Sequence, residues 1–357
     1  MSLIFKVRLF FVSFFFLTSQ LLMTKKYEQI LEDFKTKNFS PIYVLTGDEP
    51  FYIDALAQIF DSSLLDESEK DFNQKVLYGR DITMDDILSN AKLYPMMSDH
   101  RLVLVREAQD IEKKDWSKFD SYFKNPIPTT VIVICYKYKS IDKSFLKKVD
   151  KAGAVFESKK LYDSAIPQWI INYSKSIGLK INPYSSQLIA DYLGNNLEKI
   201  ANELSKLKLN LKQDEEITIN HIEQYIGISK DFNVFELQKA LATRDVLSAN
   251  RIINYFDANP KENPIQIVFP SLLSYFTKVI IASQVKDKTP DNIAKAIGIN
   301  KFFVKEYFTA INNYSLDKLF QIVALLREYD LKSKGLDIAP NVSNGDLLKE
   351  LVFKITH

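Results

Sequence analysis

The sequence predicts an α/β domain with a parallel sheet, followed by an all-α region. Between residues 42 and 157, short apolar runs typical of strands alternate with helical patterns, and such alternation produces a parallel sheet with helices on both faces. After Ala165 the strand signal disappears, and amphipathic helical patterns continue to the C-terminus. The chain has only 9 Gly in 357 residues, which suits helices and short loops better than a β-sandwich.

Each apolar run and helical pattern gives an expected range. After a first helix at 25–37, we expect strands at 42–45, 73–77, 101–105, 131–135 and 154–157. The alternating helices are expected at 54–65, 84–92, 116–123 and 143–149. Four helices should follow at 166–177, 185–193, 195–209 and 218–225, the last with Asn220 as its N-cap. The remaining helices are expected at 233–242, 246–257, 264–286, 290–297, 301–312, 315–334 and 344–354.

The length of 357 residues is too great for one core and suggests two or three domains. We expect the α/β domain at 23–160, a small helical domain at 161–228 and a separate helical bundle at 233–357. The second boundary falls where long amphipathic segments begin, punctuated by Asn-Pro and Thr-Pro pairs.

Residues 1–22 resemble a signal peptide, because Lys6 and Arg8 precede an apolar run. No small-x-small cleavage site follows cleanly, and the chain from Met23 opens with a polar amphipathic helix. Our preferred interpretation is that 1–22 are a start-site over-call and that the working protein begins at Met23. The alternative is a real signal or anchor, although about 14 apolar residues are short for a membrane span.

Composition offers little support for catalysis. The 47 basic and 45 acidic residues nearly cancel, so any DNA contact must be local. Cys135 is the single cysteine and lies in an apolar run, which excludes a disulfide within the chain. The three His lie far from one another and from Cys135 in the sequence, so no zinc site or Cys–His pair is indicated. We therefore expect no catalytic residue, no metal and no cofactor.

A loop after the first strand stands where a phosphate-binding loop should be. Its first residues are Gly47, Asp48, Glu49 and Pro50. Counted from Gly47 in the pattern G-x-x-x-x-G-K-[ST], the phosphate-binding Lys falls on Ile53 and the magnesium-binding hydroxyl on Asp54. An apolar side chain cannot neutralise phosphate. The plain alternative is an ordinary strand-to-helix turn.

The second ATPase motif is also broken. Four apolar residues of the expected strand at 101–105 should be followed by Asp-Glu to hold magnesium, but Arg106 and Glu107 stand there. A cation at the first position repels magnesium. Two motifs broken in one domain predict an ATPase-like scaffold that does not hydrolyse ATP.

A short apolar segment precedes the third strand. It comprises Leu93, Tyr94, Pro95, Met96 and Met97. Pro95 is expected to end the preceding helix, and exposed Met is an adaptable contact surface for a partner. Periodicity leaves a second interpretation equally open, in which both Met side chains fold back as core under the helix end.

These segments together resemble the delta-subunit family of the bacterial DNA polymerase III clamp loader. Four stretches carry the resemblance, at 41–54, 93–105, 194–207 and 331–355. The first contains the degenerate loop with Gly47 to Pro50 and the second the apolar segment. The first and third are the more specific, and all four occur in the family's order across 23–357.

The resemblance implies an AAA+-like α/β domain with a degenerate nucleotide site, a small helical lid domain and a C-terminal helical collar for oligomerisation. It implies a cytoplasmic, non-catalytic subunit of a DNA-directed DNA polymerase. Such a subunit binds and opens the sliding clamp, joins the other loader subunits in a hetero-pentamer, and meets primed DNA through the assembled complex, without a membrane. Alternatives are a divergent P-loop ATPase and a secreted or membrane-anchored helical interaction protein.

By the same resemblance, the side chains that enter the clamp come from Pro95, Met96 and Met97, flanked by Leu93 and Tyr94. Many family members have Phe at this position. Two Met in its place leave open which residue penetrates deepest.

Overall fold

The computed structural model describes residues 24–357, except 139–140, 213, 230 and 338–341. Residues 1–22 and the expected start at Met23 lie outside the described residues. The chain divides into two compact units, one ending at Leu161 and the other running from Tyr162 to His357. The first is α/β and the second almost entirely helical, as the sequence predicts. The further boundary between 228 and 233 stays a prediction.

Among its described residues, the first unit contains five strands of a parallel sheet and six α-helices. Its strands are β1 Ile42–Gly47, β2 Gln74–Tyr78, β3 Arg101–Arg106, β4 Thr130–Lys137 and β5 Ala154–Ser158. Its helices are α1 Tyr27–Thr36, α2 Pro50–Ser63, α3 Glu67–Asn73, α4 Met84–Ala91, α5 Asp120–Lys124 and α6 Lys143–Ala152. Two 3₁₀ segments, Ala108–Asp110 and Lys113–Phe119, connect β3 to α5.

The sheet has the strand order β2-β3-β4-β1-β5, and every pairing is parallel. In this register Gly47 pairs with Lys137 on one side and with Ser158 on the other. Because all strands run in one direction, their carboxyl ends form one edge of the sheet and their amino ends the opposite edge. The two edges carry different functional residues.

Helices cover both faces of this sheet. Alternate strand residues point to opposite faces, so that Val44 joins the core beneath α4 and α6, while Tyr43 and Leu45 join the core beneath α1 and α2. Burial on both faces explains why the strands appear as nearly continuous apolar runs in the sequence.

Three expectations for this unit need correction. Helix α2 begins at Pro50 rather than at 54, because Glu49 caps it and proline fits the first helical position. Helix α3 was not expected: its sequence is polar and buries only Asn73, so it has no apolar stripe to detect. The helix expected at 116–123 is divided equally between the end of the 3₁₀ segment Lys113–Phe119 and α5.

In the part of the second unit that the structure describes, there are eleven α-helices and two short strands. Its first helices are α7 Ile166–Ser176, α8 Pro183–Leu193, α9 Leu197–Asn210 and α10 Ile219–Ile226. The later ones are α11 Val234–Ala242, α12 Val246–Ala258, α13 Ile265–Ser283, α14 Pro290–Ile297, α15 Val304–Asn313, α16 Leu316–Ser333 and α17 Asn344–Thr356. The strands, β6 Lys180–Ile181 and β7 Glu216–Ile217, pair in parallel. They correct the expectation of no strand after Ala165.

Two details of this unit matter for its interpretation. The N-cap of α10 is Thr218 and not Asn220, because the Thr218 hydroxyl accepts the His221 backbone N–H at 3.4 Å. Helix α13 is long and apolar enough to cross a membrane by length and composition. It also buries eight side chains, including Phe269, Leu272 and Phe276, as the central helix of a bundle does.

Candidate functional site

Two groups of predicted residues lie at opposite edges of the parallel sheet. The degenerate nucleotide loop follows β1 and therefore lies at the carboxyl edge, where open α/β sheets bind ligands. Residues Leu93–Met97, called the tip below, precede β3 and therefore lie at the amino edge. The two groups form two separate candidate sites.

The loop at the carboxyl edge is fastened to the sheet. Gly47 has φ of +132°, and a Cβ atom added there would lie 1.9 Å from the carbonyl oxygen of Ser158. The Glu49 backbone N–H donates to the same oxygen at 3.3 Å. Gly47 is therefore required by the close approach of β5, whereas in a P-loop glycine is required by phosphate.

The N-terminus of α2 already holds an anion. In a P-loop the helix N-terminus binds phosphate through its free N–H groups and positive dipole end. Here the buried Glu49 carboxylate accepts the Phe51 N–H at 3.2 Å, while Asp48 beside it is exposed. A bound phosphate would have to displace this carboxylate against charge repulsion.

The two positions that should bind phosphate and magnesium have other roles. Ile53 is fully buried and packs in the core with Leu56 and Phe60. Asp54, one residue on, accepts a hydrogen bond from Lys137, whose Nζ lies 2.9 Å from its Oδ1. Neither side chain supplies a group that could bind phosphate.

Lys137 links the two broken motifs. Its Nζ lies 2.9 Å from Asp54 Oδ1 and 2.9 Å from Glu107 Oε1, which makes a charge cluster of Asp54, Glu107 and Lys137. Gln109 braces it, accepting the Lys137 backbone N–H at 3.1 Å and donating to the Glu107 carboxylate. A protein ammonium thus neutralises the carboxylates that could otherwise contribute to a magnesium site. Lys137 was not predicted from the sequence, although it is the first charged residue after the apolar run of β4.

Protonation favours this arrangement at neutral pH. Burial alone would lower the pKa of Lys137, but hydrogen bonds to Asp54 and Glu107 raise that pKa above its usual value. Burial alone would raise the pKa of Glu107, but hydrogen bonds from Lys137 and Gln109 lower it overall. Both groups are therefore charged at neutral pH. Arg106 lies outside the cluster and pairs with Asp61 of α2 at 3.6 Å.

The tip at the amino edge exposes large apolar side chains. Met97 is fully exposed, Tyr94 is 72% exposed, Met96 62% and Leu93 51%. Pro95 has no N–H to offer the Ala91 carbonyl, and α4 ends at Ala91. The interpretation of Met96 and Met97 as core residues is therefore wrong. Four exposed apolar side chains in five residues are typical of a contact surface.

Buried polar side chains hold this tip in place. They come from the amino ends of three neighbouring strands: Asn73 directly before β2, Arg101 at the start of β3 and Thr130 at the start of β4. We call these three residues the amino-end frame. Asn73 and Thr130 are fully buried, and Arg101 is 8% exposed. The frame was not predicted from the sequence.

Each residue of the frame bonds to backbone groups in or beside the tip. Asn73 Oδ1 accepts the Met96 N–H at 2.7 Å, and its Nδ2 donates to the Met96 carbonyl at 2.9 Å. Thr130 Oγ1 donates to the Leu93 carbonyl at 3.3 Å. Arg101 donates to the carbonyls of Asn90 at 3.2 Å and of Phe72 at 2.8 Å. An apolar surface is thus presented on a backbone that is hydrogen-bonded to buried side chains.

Sheet order, loop position and the helix after β1 define an AAA+-like α/β domain with a degenerate nucleotide site. Family comparisons agree with this class. The model of the DNA polymerase III delta subunit matches residues 43–159, and the model of the C-terminal domain of the delta subunit matches 231–345.

Individual relatives give the same result. DNA polymerase III subunit delta of Bacillus subtilis (strain 168) is 24% identical over 318 residues, covering 85% of this chain and 91% of that protein. The probable DNA polymerase III subunit delta of Aquifex aeolicus (strain VF5) is 21% identical over 309 residues, covering 82% and 86%. The solved Bacillus subtilis DNA clamp loader delta protein matches with a TM-score of 0.51 and 22% identity, covering 93% of this chain and 99% of that one. The chain belongs to the DNA polymerase III delta-subunit family.

Proposed function

We propose that this chain binds the sliding clamp through the tip and favours the open form of the clamp ring. The observation that carries the proposal is the tip itself. Met97 is fully exposed and Met96 is 62% exposed, and the Met96 backbone is hydrogen-bonded to the buried Asn73 side chain. A rigid apolar projection can enter a pocket on a partner without first becoming ordered. Because the chain belongs to the delta-subunit family, we propose the sliding clamp as the partner that the tip binds.

Clamp opening would follow from differential binding. If the tip binds a clamp distorted at one subunit interface more tightly than a closed clamp, binding shifts the ring toward the open form. The shift is limited by the difference between the two affinities. This mechanism requires no chemistry from the chain.

We further propose that the chain neither binds nor hydrolyses ATP, so that it is not an enzyme on its own. Two observations support this: the Glu49 carboxylate lies at the N-terminus of α2, and Lys137 neutralises Asp54 and Glu107. An ATP–magnesium complex would need that N-terminus and those carboxylates to be free. Other loader subunits would hydrolyse the ATP.

Assembly with those subunits is assigned to the collar, residues 233–357. Exposed aromatic side chains support this assignment, because Phe320 on α16 is 54% exposed and Phe353 on α17 is 60% exposed. The two helices are tied together where Lys318 Nζ donates to the Lys354 carbonyl at 3.0 Å. In the proposed hetero-pentamer the chain acts in the cytoplasm and meets primed DNA through the assembled complex.

A clamp-release assay tests the central proposal. Clamps are loaded onto nicked circular DNA, the purified full-length chain is added without ATP, and the clamp remaining on the DNA is measured by gel filtration. We expect binding to the clamp and accelerated release from the circle. Binding without release would limit the chain to a tether, and failure to bind would refute the proposal.

A further inference from the structure

Asn73 is a buried polar residue at the amino edge with an unusual set of partners. Its side chain is 0% exposed. Its Oδ1 accepts the Met96 N–H at 2.7 Å, and its Nδ2 donates to the carbonyls of Met96 at 2.9 Å and of Glu69 at 3.2 Å. The two bonds to Met96 reproduce the pairing of one residue with another in a β-ladder. The Asn73 side chain thus bonds to the Met96 backbone as a residue of a neighbouring strand would.

The position of Asn73 in the chain shows which part of the tip these hydrogen bonds hold. It is the last residue of α3 and directly precedes β2, so it is anchored in the sheet. The residue after Met96 is Met97, which has φ of 53°. Non-glycine residues seldom adopt this left-handed conformation, and it persists where the surrounding structure imposes it. The Asn73 bonds immediately before Met97 fix the backbone at the start of that turn.

The other two frame residues act at different points. Thr130 bonds to Leu93, at the beginning of the tip, and Arg101 bonds to Asn90 and Phe72, which flank it. Arg101 therefore holds the ends of α3 and α4, and Thr130 holds the first residue of the tip. Asn73 bonds both backbone groups of a residue whose own side chain is exposed for binding.

We propose that Asn73 is a positioning residue that keeps the tip in its clamp-binding conformation. This inference rests on the proposed function, in which the tip enters the clamp. Without the Asn73 amide, the backbone at Met96 would sample other conformations, and the clamp would have to order it on binding. The ordering cost would appear as weaker affinity, although no side chain that touches the clamp has changed.

The test uses full-length protein labelled with ¹⁵N-methionine, which places the label on five residues. Met96 reports on the tip. Met84 is fully buried in the core and reports on folding. We compare Asn73→Ala with the matched control Asn90→Ala, since the Asn90 side chain donates to the Asp86 carbonyl within its own helix.

We expect Asn73→Ala to speed hydrogen exchange of the Met96 amide at least tenfold and to weaken clamp binding about tenfold, with the Met84 signal unchanged. Asn90→Ala should leave clamp affinity within twofold of the wild type. A role in general stability would instead move the Met84 signal and the melting temperature while leaving clamp affinity of the folded protein intact. That result would overturn the inference.

If Asn73→Ala does not fold, the variant Asn73→Asp tests the positioning role instead. A buried carboxyl group has a raised pKa. Once protonated, it can accept the Met96 N–H and donate its single proton to the Met96 carbonyl, while the bond to the Glu69 carbonyl is lost. Clamp affinity of this variant should therefore recover relative to the wild type as pH falls from 8 to 6. Equal pH dependence of both proteins would overturn the inference.

The Met96→Ala/Met97→Ala variant separates this inference from the proposed function. If that variant binds the clamp as well as the wild type, the tip is not the clamp-binding element, and both proposals fail. If it binds weakly while Asn73→Ala binds normally with a freely exchanging Met96 amide, the function stands and the positioning role is refuted.

Discussion

Replacing Met96 and Met97 together by alanine tests the tip directly. Fully burying a Met side chain is worth roughly 1.5–3 kcal/mol. Met97 is fully exposed and Met96 62% exposed in the free chain, so all of the Met97 area and more than half of the Met96 area are available to be buried by a partner. Allowing for the Cβ atoms that alanine retains, the double substitution should cost roughly 2–4 kcal/mol of binding free energy. At about 1.4 kcal/mol per tenfold, clamp affinity should fall roughly thirtyfold or more.

Stability should hardly change in that variant, because neither side chain contributes to the core. The matched opposite is Met84→Ala, since Met84 on α4 is 0% exposed. Truncating a buried Met costs on the order of 2–5 kcal/mol of folding free energy. Met84→Ala should therefore lower the melting temperature while the folded fraction binds the clamp normally. One substitution changes binding and the other changes stability.

The assay measures clamp affinity by isothermal titration and the thermal midpoint by circular dichroism on the same preparations. The reasoning would be refuted if the Met96→Ala/Met97→Ala variant bound within threefold of the wild type. It would also be refuted by a large drop in melting temperature with affinity retained, since that is the behaviour of core residues.

Four further outcomes are expected. A fluorescent ATP analogue with magnesium should not bind the isolated chain; micromolar binding abolished by Asp54→Ala would contradict this. Lys137→Met should lower the free energy of unfolding in urea by roughly 1–3 kcal/mol, because it leaves two carboxylates unpaired. The control Lys148→Met removes an exposed pair with Asp120 and should cost under about 1 kcal/mol. Equal effects of the two substitutions would argue against the charge cluster. The pKa of Glu107 is lowered in the folded state, so this group stabilises the fold above its unfolded pKa of about 4.3. That contribution to the free energy of unfolding is lost as pH falls from there through the lower pKa of the folded state. Glu107→Gln should therefore make stability depend less on pH in this acid range. A fragment of residues 233–357 should be helical by circular dichroism and join other loader subunits; an unfolded fragment beside a folded 162–357 fragment would move the domain boundary.

The sheet could be predicted from the sequence because its strands are buried on both faces. The run 131–135, for example, is at most 1% exposed along its whole length, so apolar content alone marks it. Elements without an apolar pattern could not be predicted. Helix α3 buries Asn73 alone, and β6 and β7 have two residues each, too few to show any period.

The sequence predicts only those residues of the candidate sites that lie at a fixed spacing within one motif. Ile53 and Arg106 follow from counting within a motif. Lys137 does not, because its partner Asp54 lies 83 residues away in the sequence. Asn73 and Met96 are likewise 23 residues apart and meet because their strands are neighbours. Exposure of the tip depended on the same tertiary contacts, which is why periodicity left core and surface equally open.

The residues at the two edges of the sheet together bear on how clamp binding by this chain is controlled. In an ATPase of this class, nucleotide at the carboxyl edge can change the conformation of the domain. Here Glu49 and the charge cluster of Asp54, Glu107 and Lys137 occupy that edge with protein groups, and the amino-end frame holds the tip by bonds that involve no ligand. If the tip binds the clamp as proposed, it is therefore exposed without any ligand at the carboxyl edge. We propose that control of clamp binding then comes from outside this chain, through neighbouring loader subunits that cover or uncover the tip.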